Sequence, residues 1–133
     1  MASGQPEPKV SKVATPAQIM AARNIVNQVF IDEKVKGYVV DLVHATRDPK
    51  SAGISDLDGM IETGASPRAS LFLTRAAKAN AFLQGRSYAT PHDVKNLALD
   101  VMRHRIAISY EAEAQGKTSE DVIERILAGV LVP

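Results

Sequence analysis

One run of residues sets the architecture of this chain: positions 66–85 read SPRASLFLTRAAKANAFLQG. Apolar residues recur through it at helical spacing, a Ser-Pro pair stands where a helix begins, and Gly85 stands where a left-handed helix end favours glycine. The run therefore predicts a helix from Ser66 to Gln84. Only a narrow polar stripe interrupts its apolar surface, so we expect neighbouring helices to cover most of it. The stripe consists of Ser70, Thr74 and Lys78.

Helix-capping residues mark further helices on both sides of this run. Thr15-Pro16 is followed by a glutamine three residues after the threonine, which makes a capping box, and Thr90-Pro91 and Thr118 open helices in similar settings. The predicted helices cover residues 15–29, 32–48, 66–84, from 90 through 102, and 118–129. The pattern favours an all-α domain, a small bundle of about five helices within residues 15–133.

The segments between these helices carry weaker signals. Residues 1–14 have little apolar content and are expected to be a flexible lead-in or an appended tail. Residues 48–63 are expected to form a loop with one short helical turn around Leu57 to Ile61. The run 106–110 suits an extended strand, and we expect a minor two-stranded pairing between it and residues 86–89.

Composition and charge narrow the function classes. The 133 residues are 45% hydrophobic and 23% charged, as in soluble globular domains, and contain no cysteine for a disulfide or a thiolate site. A formal net charge of +1 offers no field that would collect a nucleic-acid backbone. No apolar run approaches about 20 residues, so we expect no membrane span, and no signal peptide is recognisable. We expect a cytoplasmic location.

No catalytic or metal-binding constellation emerges from the sequence. The histidines His44, His92 and His104 lack the partners at helical spacing that mark a metal site. The closest approach to a phosphate-binding P-loop runs from Gly59 to Gly64 and lacks its lysine. No serine lies in a nucleophile elbow. We therefore expect no catalytic residue and no metal ligand in this chain.

The five residues Gly64-Ala65-Ser66-Pro67-Arg68 are the best candidate for a binding site. Arg68 falls in the first turn of a predicted helix, where the positive end of the helix dipole disfavours a cation by about 0.3 to 1 kcal/mol. A capping serine, a proline that fixes the helix start and an arginine beside free amides together describe a corner suited to a phosphate. The alternative is that Arg68 lies flat on the surface or pairs with Glu62.

A set of motifs stands in a characteristic order and spacing. They are Gly64 to Leu71, Ala76-Ala77-Lys78-Ala79, Gln84-Gly85-Arg86, Tyr88 to Val94 and His104-Arg105-Ile106. Together with Tyr38 to Arg47, they resemble the C-terminal part of MoxR-family AAA+ ATPases, and the similarity extends over residues 15–133. Its most specific part is the Gly-Ala-Ser-Pro-Arg element combined with the later Thr-Pro-x-Asp-Val.

This resemblance implies a helical lid that closes over ATP bound to a preceding α/β core. Arg68 would be the sensor 2 arginine that reaches the γ-phosphate, with Pro67 and Ser66 beside it in the nucleotide site. The second helix, near Tyr38 and Val39, is where an adenine contact is expected. The family's P-loop, Walker B segment and arginine finger have no counterpart here, so Mg²⁺ would be held by the missing core. The fragment alone is therefore not expected to hydrolyse ATP.

The implied partners are equally specific. The lid would contact the AAA+ core domain of the same or a neighbouring subunit, and the parent protein would be a ring-shaped homo-oligomer, a hexamer. It would use ATP to remodel or mature client proteins in the manner of a chaperone. No nucleic acid is expected as a partner.

Two other readings make different predictions. A free-standing helical interaction domain without a nucleotide role would cover its apolar surface, whereas a detached lid would expose a patch that its core hides. A DNA-binding helix-turn-helix would use residues 90–105 as its recognition helix. Its basic residues, Lys95, Arg103 and Arg105, bunch towards the C-terminal end, whereas such helices read bases near their N-terminal end.

Overall fold

Helices dominate the computed structural model of the chain, which describes residues 6–133. They are α1 (Pro16–Gln28), α2 (Glu33–Arg47), α3 (Arg68–Leu83), α4 (Pro91–Met102), α5 (Tyr110–Ala114) and α6 (Ser119–Gly129). The predicted all-α helical architecture is confirmed. Residues 6–14 are exposed and contain no helix or strand; the remainder of the predicted lead-in, residues 1–5, lies outside the described residues.

Threonine capping boxes begin three of the helices. Thr15, Thr90 and Thr118 each accept a hydrogen bond from the backbone N–H three residues on, and the side chain at that position accepts one from the threonine's own N–H. Asp32 caps α2 by accepting from the Lys34 N–H at 2.8 Å. These contacts are local in sequence, which is why the helix starts could be predicted from the residues themselves.

Four short strands pair in two ribbons. They are β1 (Phe30–Ile31), β2 (Ile61–Thr63), β3 (Tyr88–Ala89) and β4 (Ala107–Ile108). β1 runs parallel to β3, and β2 runs antiparallel to β4 with an irregularity in its register. Segments 86–89 and 106–110 do contain strands, but the expected pairing between them is wrong. Helix α4 separates them by about 18 Å of its length, so each pairs with a strand at its own end of α4.

The core forms on both sides of α3. On one side Leu73, Ala77 and Ala81 pack with residues of α2, including Leu42, and on the other Ala69 packs with Met102 of α4. Small alanine side chains let the neighbouring helices approach closely. α3 is therefore the central helix of the domain.

One face of α3 is left open, against expectation. Leu71 is 61% exposed, Phe72 40% and Leu83 77%, while the polar stripe of Ser70, Thr74 and Lys78 is half-buried. Neighbours do cover most of the helix, as expected; what differs is that the side left open is apolar. α1 lies beside this side and buries no residue of its own.

Two short elements differ from the sequence prediction. The turn expected around Leu57 to Ile61 is a 3₁₀ turn at Ser55–Leu57, and Ile61 already belongs to β2. Helix α5 was not predicted at all, because its five residues are too short to show a period. In the described part of the chain no helix is long and apolar enough to cross a membrane.

Candidate functional site: the corner at the start of α3

The backbone from Gly64 to Pro67 is fixed against the end of α2. The buried Thr46 hydroxyl donates to the Val43 carbonyl at 2.7 Å and accepts from the Ala65 N–H at 2.9 Å. A Cβ on Gly64 would lie 2.7 Å from the Thr46 carbonyl carbon and would overlap its oxygen. Only glycine allows this approach. We call Gly64 to Arg68 the α3 corner.

Arg68 is the free cation of the α3 corner. Its side chain is exposed, and among residues 6–133 it forms no ion pair and no side-chain hydrogen bond. The alternative pairing with Glu62 does not form. The guanidinium is therefore available to an anion from outside the domain.

Ser66 does not cap α3, contrary to the sequence prediction. Pro67 already has helical backbone angles, φ −55° and ψ −22°. The Ala69 N–H therefore donates to the Ser66 carbonyl at 2.8 Å, and the Ser70 N–H donates to the Pro67 carbonyl at 3.1 Å. Because backbone acceptors already satisfy these two amides, neither is free for an anion, whereas the Arg68 side chain is.

A second arginine lines the same corner. Arg47, in the last turn of α2, lies with Glu62 and residues 63–67 around one surface groove. Its Cγ lies 2.8 Å from the position a Gly64 Cβ would occupy, so its stem packs directly on the corner. The residue-by-residue reasoning missed it; the only signal was its place at the end of the Tyr38 to Arg47 stretch.

Tyr38 and Val39 are not part of the corner. They are 2% and 1% exposed and belong to the core packed on α3, so they present no surface to an adenine in this conformation. The Tyr38 hydroxyl is buried without a hydrogen-bond partner in the described residues, and this burial raises its pKa.

A different cluster lies at the start of α4, and we call it the α4 corner. It consists of Asp93 and the three residues that donate to it, Arg86, Asn80 and Thr90. The Asp93 carboxylate, fully buried, accepts from Arg86 at 2.6 and 2.9 Å, from Asn80 at 2.7 Å and from the Thr90 N–H at 2.7 Å. Burial opposes ionisation of Asp93, but these hydrogen bonds outweigh it and hold the pKa of the carboxyl well below its usual range. This corner joins α3 to α4 through groups that satisfy one another.

The other charged groups are engaged or scattered. Arg103 pairs with Asp100 and Glu120, and the Arg105 guanidinium stacks 4.5 Å from the centre of the Phe72 ring. In residues 6–133 no three His, Cys, Asp or Glu side chains converge as metal ligands would. The basic end of α4 is thus occupied by contacts inside the domain.

The chain is similar to proteins of a known family. A family model of the AAA lid domain matches residues 55–126. The chaperone MoxR1 of Mycobacterium tuberculosis is 35% identical over 130 residues, covering 98% of this chain and 34% of the relative. The MoxR protein of Paracoccus denitrificans is 38% identical over 105 residues, covering 74% of this chain and 31% of the relative.

A solved structure agrees with the fold. A candidate ATPase of Cytophaga hutchinsonii matches with a TM-score of 0.84 and 41% identity, covering 88% of this chain and 36% of that one. The chain thus spans about a third of the length of the relatives that it matches.

Proposed function

Because the chain belongs to the AAA lid domain family, in the form found in MoxR proteins, we propose that it is the lid of an ATPase whose nucleotide-binding core lies elsewhere in the protein. The observation that carries the proposal is Arg68: an exposed arginine side chain without an ion-pair partner in residues 6–133, set on a rigid backbone corner. In this role Arg68 is the sensor 2 arginine, and Ser66 and Pro67 position it.

The rigid backbone of the α3 corner would allow a contact at Arg68 to act on the whole domain. Thr46 and Gly64 hold the corner on α2, and the α4 corner holds the other end of α3 on α4. A force on the Arg68 guanidinium therefore moves the whole domain. An arginine that contacts a γ-phosphate in one nucleotide state and not in the other supplies the differential contact that a population shift requires.

The residues present fit one contact to a nucleotide and no more. Arg68 suits the charge of a phosphate oxygen. The neighbouring groove along Gly64 to Pro67 carries one charge of each sign, from Arg47 and Glu62. The sequence lacks a P-loop and a Walker B segment, so the proposed core holds ATP and Mg²⁺, and the chain alone does not hydrolyse ATP.

The proposed assembly follows from the same premise. The lid contacts the core domain of its own or a neighbouring subunit in a ring-shaped homo-oligomer, a hexamer, which remodels or matures client proteins. Leu71, 61% exposed near the start of α3, supports a lid over a free-standing domain, since such a domain would cover its apolar surface.

The test uses the full ATPase that contains this lid. Arg68→Ala is expected to weaken ATP binding by about ten- to a hundredfold, the value of one or two charge-assisted hydrogen bonds, to slow turnover, and to leave ADP binding nearly unchanged. Arg68→Lys, which keeps the charge without the planar fork, is expected to fall between. Lys50→Ala, an exposed cation in the turn after α2, is the control and should match the wild type. An Arg68→Ala variant that binds both ATP and ADP as tightly as the wild type does would rule out the sensor role.

A further inference from the structure

A groove between α1 and α3 is lined by two matching helical stripes. Ile19, Ala22 and Val26 form the α1 side of its floor, and Ala79, Phe82 and Leu83 form the α3 side. Both sets follow helical spacing, so each helix turns one continuous apolar edge towards the groove. We call this surface the α1–α3 groove.

The floor of the groove is apolar and open. Ile19 is 55% exposed and Leu83 77%, and α1 contributes no buried residue to the domain. Large apolar side chains grouped in one groove, rather than scattered singly, are typical of a surface that binds another protein. α1 is thus held on the domain by one side and presents its other side to a partner.

The rim of the groove carries positive charge alone. Arg23 of α1 and Arg75 and Lys78 of α3 lie along it, and neither α1 nor α3 contains an acidic residue, although the chain has 15 acidic residues against 16 basic ones. The acidic groups are therefore segregated to other elements. An approaching partner meets cations around an apolar floor.

We propose that the α1–α3 groove binds an amphipathic helix of a separate protein, with acidic residues flanking its apolar face. A groove between two helices accepts the ridge of side chains on a third helix. The apolar floor matches the apolar face of such a helix, and the cationic rim matches its acidic flanks. Arg68 takes no part in this surface, so the inference stands apart from the nucleotide role.

A second copy of this chain does not supply such a helix from its folded part. α6 carries three acidic residues, but its apolar face is buried through Val122, Ile123 and Ile126. α1 and α3 have exposed apolar side chains but no acidic residue. Within residues 6–133, exposed apolar stripes and acidic flanks thus occur on different helices, which favours a different polypeptide as the occupant.

The experiment titrates the 133-residue chain with two designed amphipathic peptides, each about as long as α3 and labelled for fluorescence anisotropy at low salt. Both have the same leucine face; one is flanked by glutamates and the other by lysines. The Glu-flanked peptide is expected to bind about tenfold more tightly, because several surface ion pairs add up. Leu83→Gln is expected to weaken both peptides by about fivefold.

A charge-reversed variant tests the proposal through an inverted peptide preference, which loss of folding cannot imitate. Arg23→Glu with Arg75→Glu changes two exposed side chains and leaves the Lys78 hydrogen bond to the Asn27 carbonyl intact; it should invert the preference, so that the Lys-flanked peptide binds better. The control, Lys34→Glu with Lys50→Glu, makes the same charge change away from the groove and should keep the original preference. Equal binding of both peptides, an unchanged preference in the reversed variant, or sedimentation showing that the chain covers the groove by self-association would overturn the proposal.

Discussion

The α3 corner and the α4 corner have similar sequences, but their arginines differ: Arg68 is exposed, whereas Arg86 is paired with a buried carboxylate. Each has a hydroxyl residue followed by a proline at the helix start, Ser66-Pro67 and Thr90-Pro91, and each corner carries an arginine. At the α4 corner the residue three after Thr90 is Asp93, whose carboxylate gathers the nearby donors and is fully buried. At the α3 corner the residue three after Ser66 is Ala69, which has nothing to offer. Arg68 has no such carboxylate beside it in residues 6–133, and the comparison separates an arginine that stabilises the domain from one that faces outward.

The largest effect is expected at the α4 corner. Asp93→Asn removes the charge that Arg86, 28% exposed at its side chain, pairs with at 2.6 Å, and it leaves buried donors without an acceptor. The free energy of unfolding should fall by about 3 kcal/mol, measured by urea denaturation. Asp100→Asn, on the exposed side of the same helix, is the control and should cost no more than about 0.5 kcal/mol. Equal losses of unfolding free energy in the two variants would show that the burial of Asp93 is not the source of its contribution to stability.

A smaller loss is expected from Gly64→Ala at the α3 corner. The new methyl group would meet backbone atoms of Thr46, which cannot move aside like a flexible side chain, and such overlap costs about 2 kcal/mol. The matched control is Gly37→Ala inside α2, where a Cβ meets nothing within 4 Å. This substitution should raise the free energy of unfolding by about 0.5 to 1 kcal/mol. Destabilisation by Gly37→Ala as large as that by Gly64→Ala would show that the close approach to Thr46 is not the cause.

Acid should weaken the α4 corner selectively. Hydrogen bonds lower the pKa of Asp93 in the folded state below its unfolded value of about 3.9. Its contribution is therefore complete above about pH 5 and is lost as the pH falls towards the lowered folded value, by at most about 1.4 kcal/mol per pH unit. Asp48, Asp56 and Asp121 also have a lowered pKa, from hydrogen bonds of Ser51, Arg125 and Thr118.

The difference between the wild type and Asp93→Asn isolates Asp93 from these other carboxyls. The gap between their unfolding free energies should be constant above pH 5 and should narrow below about pH 4. Two curves that stay parallel down to the lowest pH at which the protein folds would contradict the assignment of the acid sensitivity to Asp93.

The smallest effect on stability is expected for Arg68→Ala. Removing a cation from the positive end of α3 relieves an unfavourable interaction and breaks no internal contact, so the free energy of unfolding should change by no more than about 0.5 kcal/mol, with a slight gain favoured. Thermal and urea unfolding of the isolated chain measure this directly. A loss above about 1.5 kcal/mol would mean that Arg68 has a structural partner after all.

Local signals predicted the helices well, and contacts between distant segments explain what was missed. The boxes at Thr15, Thr90 and Thr118 depend on residues three apart, so the sequence contains them in full. The partners of β3 and β4 depend on which end of α4 each strand adjoins, a fact that no local pattern records. The open face of α3 was missed because composition shows that a helix is apolar, not which of its sides a neighbour covers.

In the candidate site, too, the local sequence located one part, and only the fold shows the rest. The Gly-Ala-Ser-Pro-Arg motif located the α3 corner, but the capping role of Ser66 failed because Pro67 already has helical backbone angles and the Ser66 carbonyl accepts from the Ala69 N–H. Arg47 joins the corner only through the fold, since Thr46 and Gly64 bring α2 against it. Tyr38 and Val39 lie on the buried face of α2 that its periodicity defines, and burial removes them from the corner.

The most direct test of the division between the two corners compares Arg68→Ala with Arg86→Ala in the full ATPase, measuring for each the ratio of ATP to ADP affinity and the free energy of unfolding of the lid. Our account predicts a crossover. Arg68→Ala should abolish most of the preference for ATP with unfolding unchanged, whereas Arg86→Ala should cost about 2 kcal/mol of stability and keep the nucleotide preference wherever the lid stays folded. An Arg68→Ala variant that keeps the preference, or an Arg86→Ala variant that loses it while folded, would contradict the account.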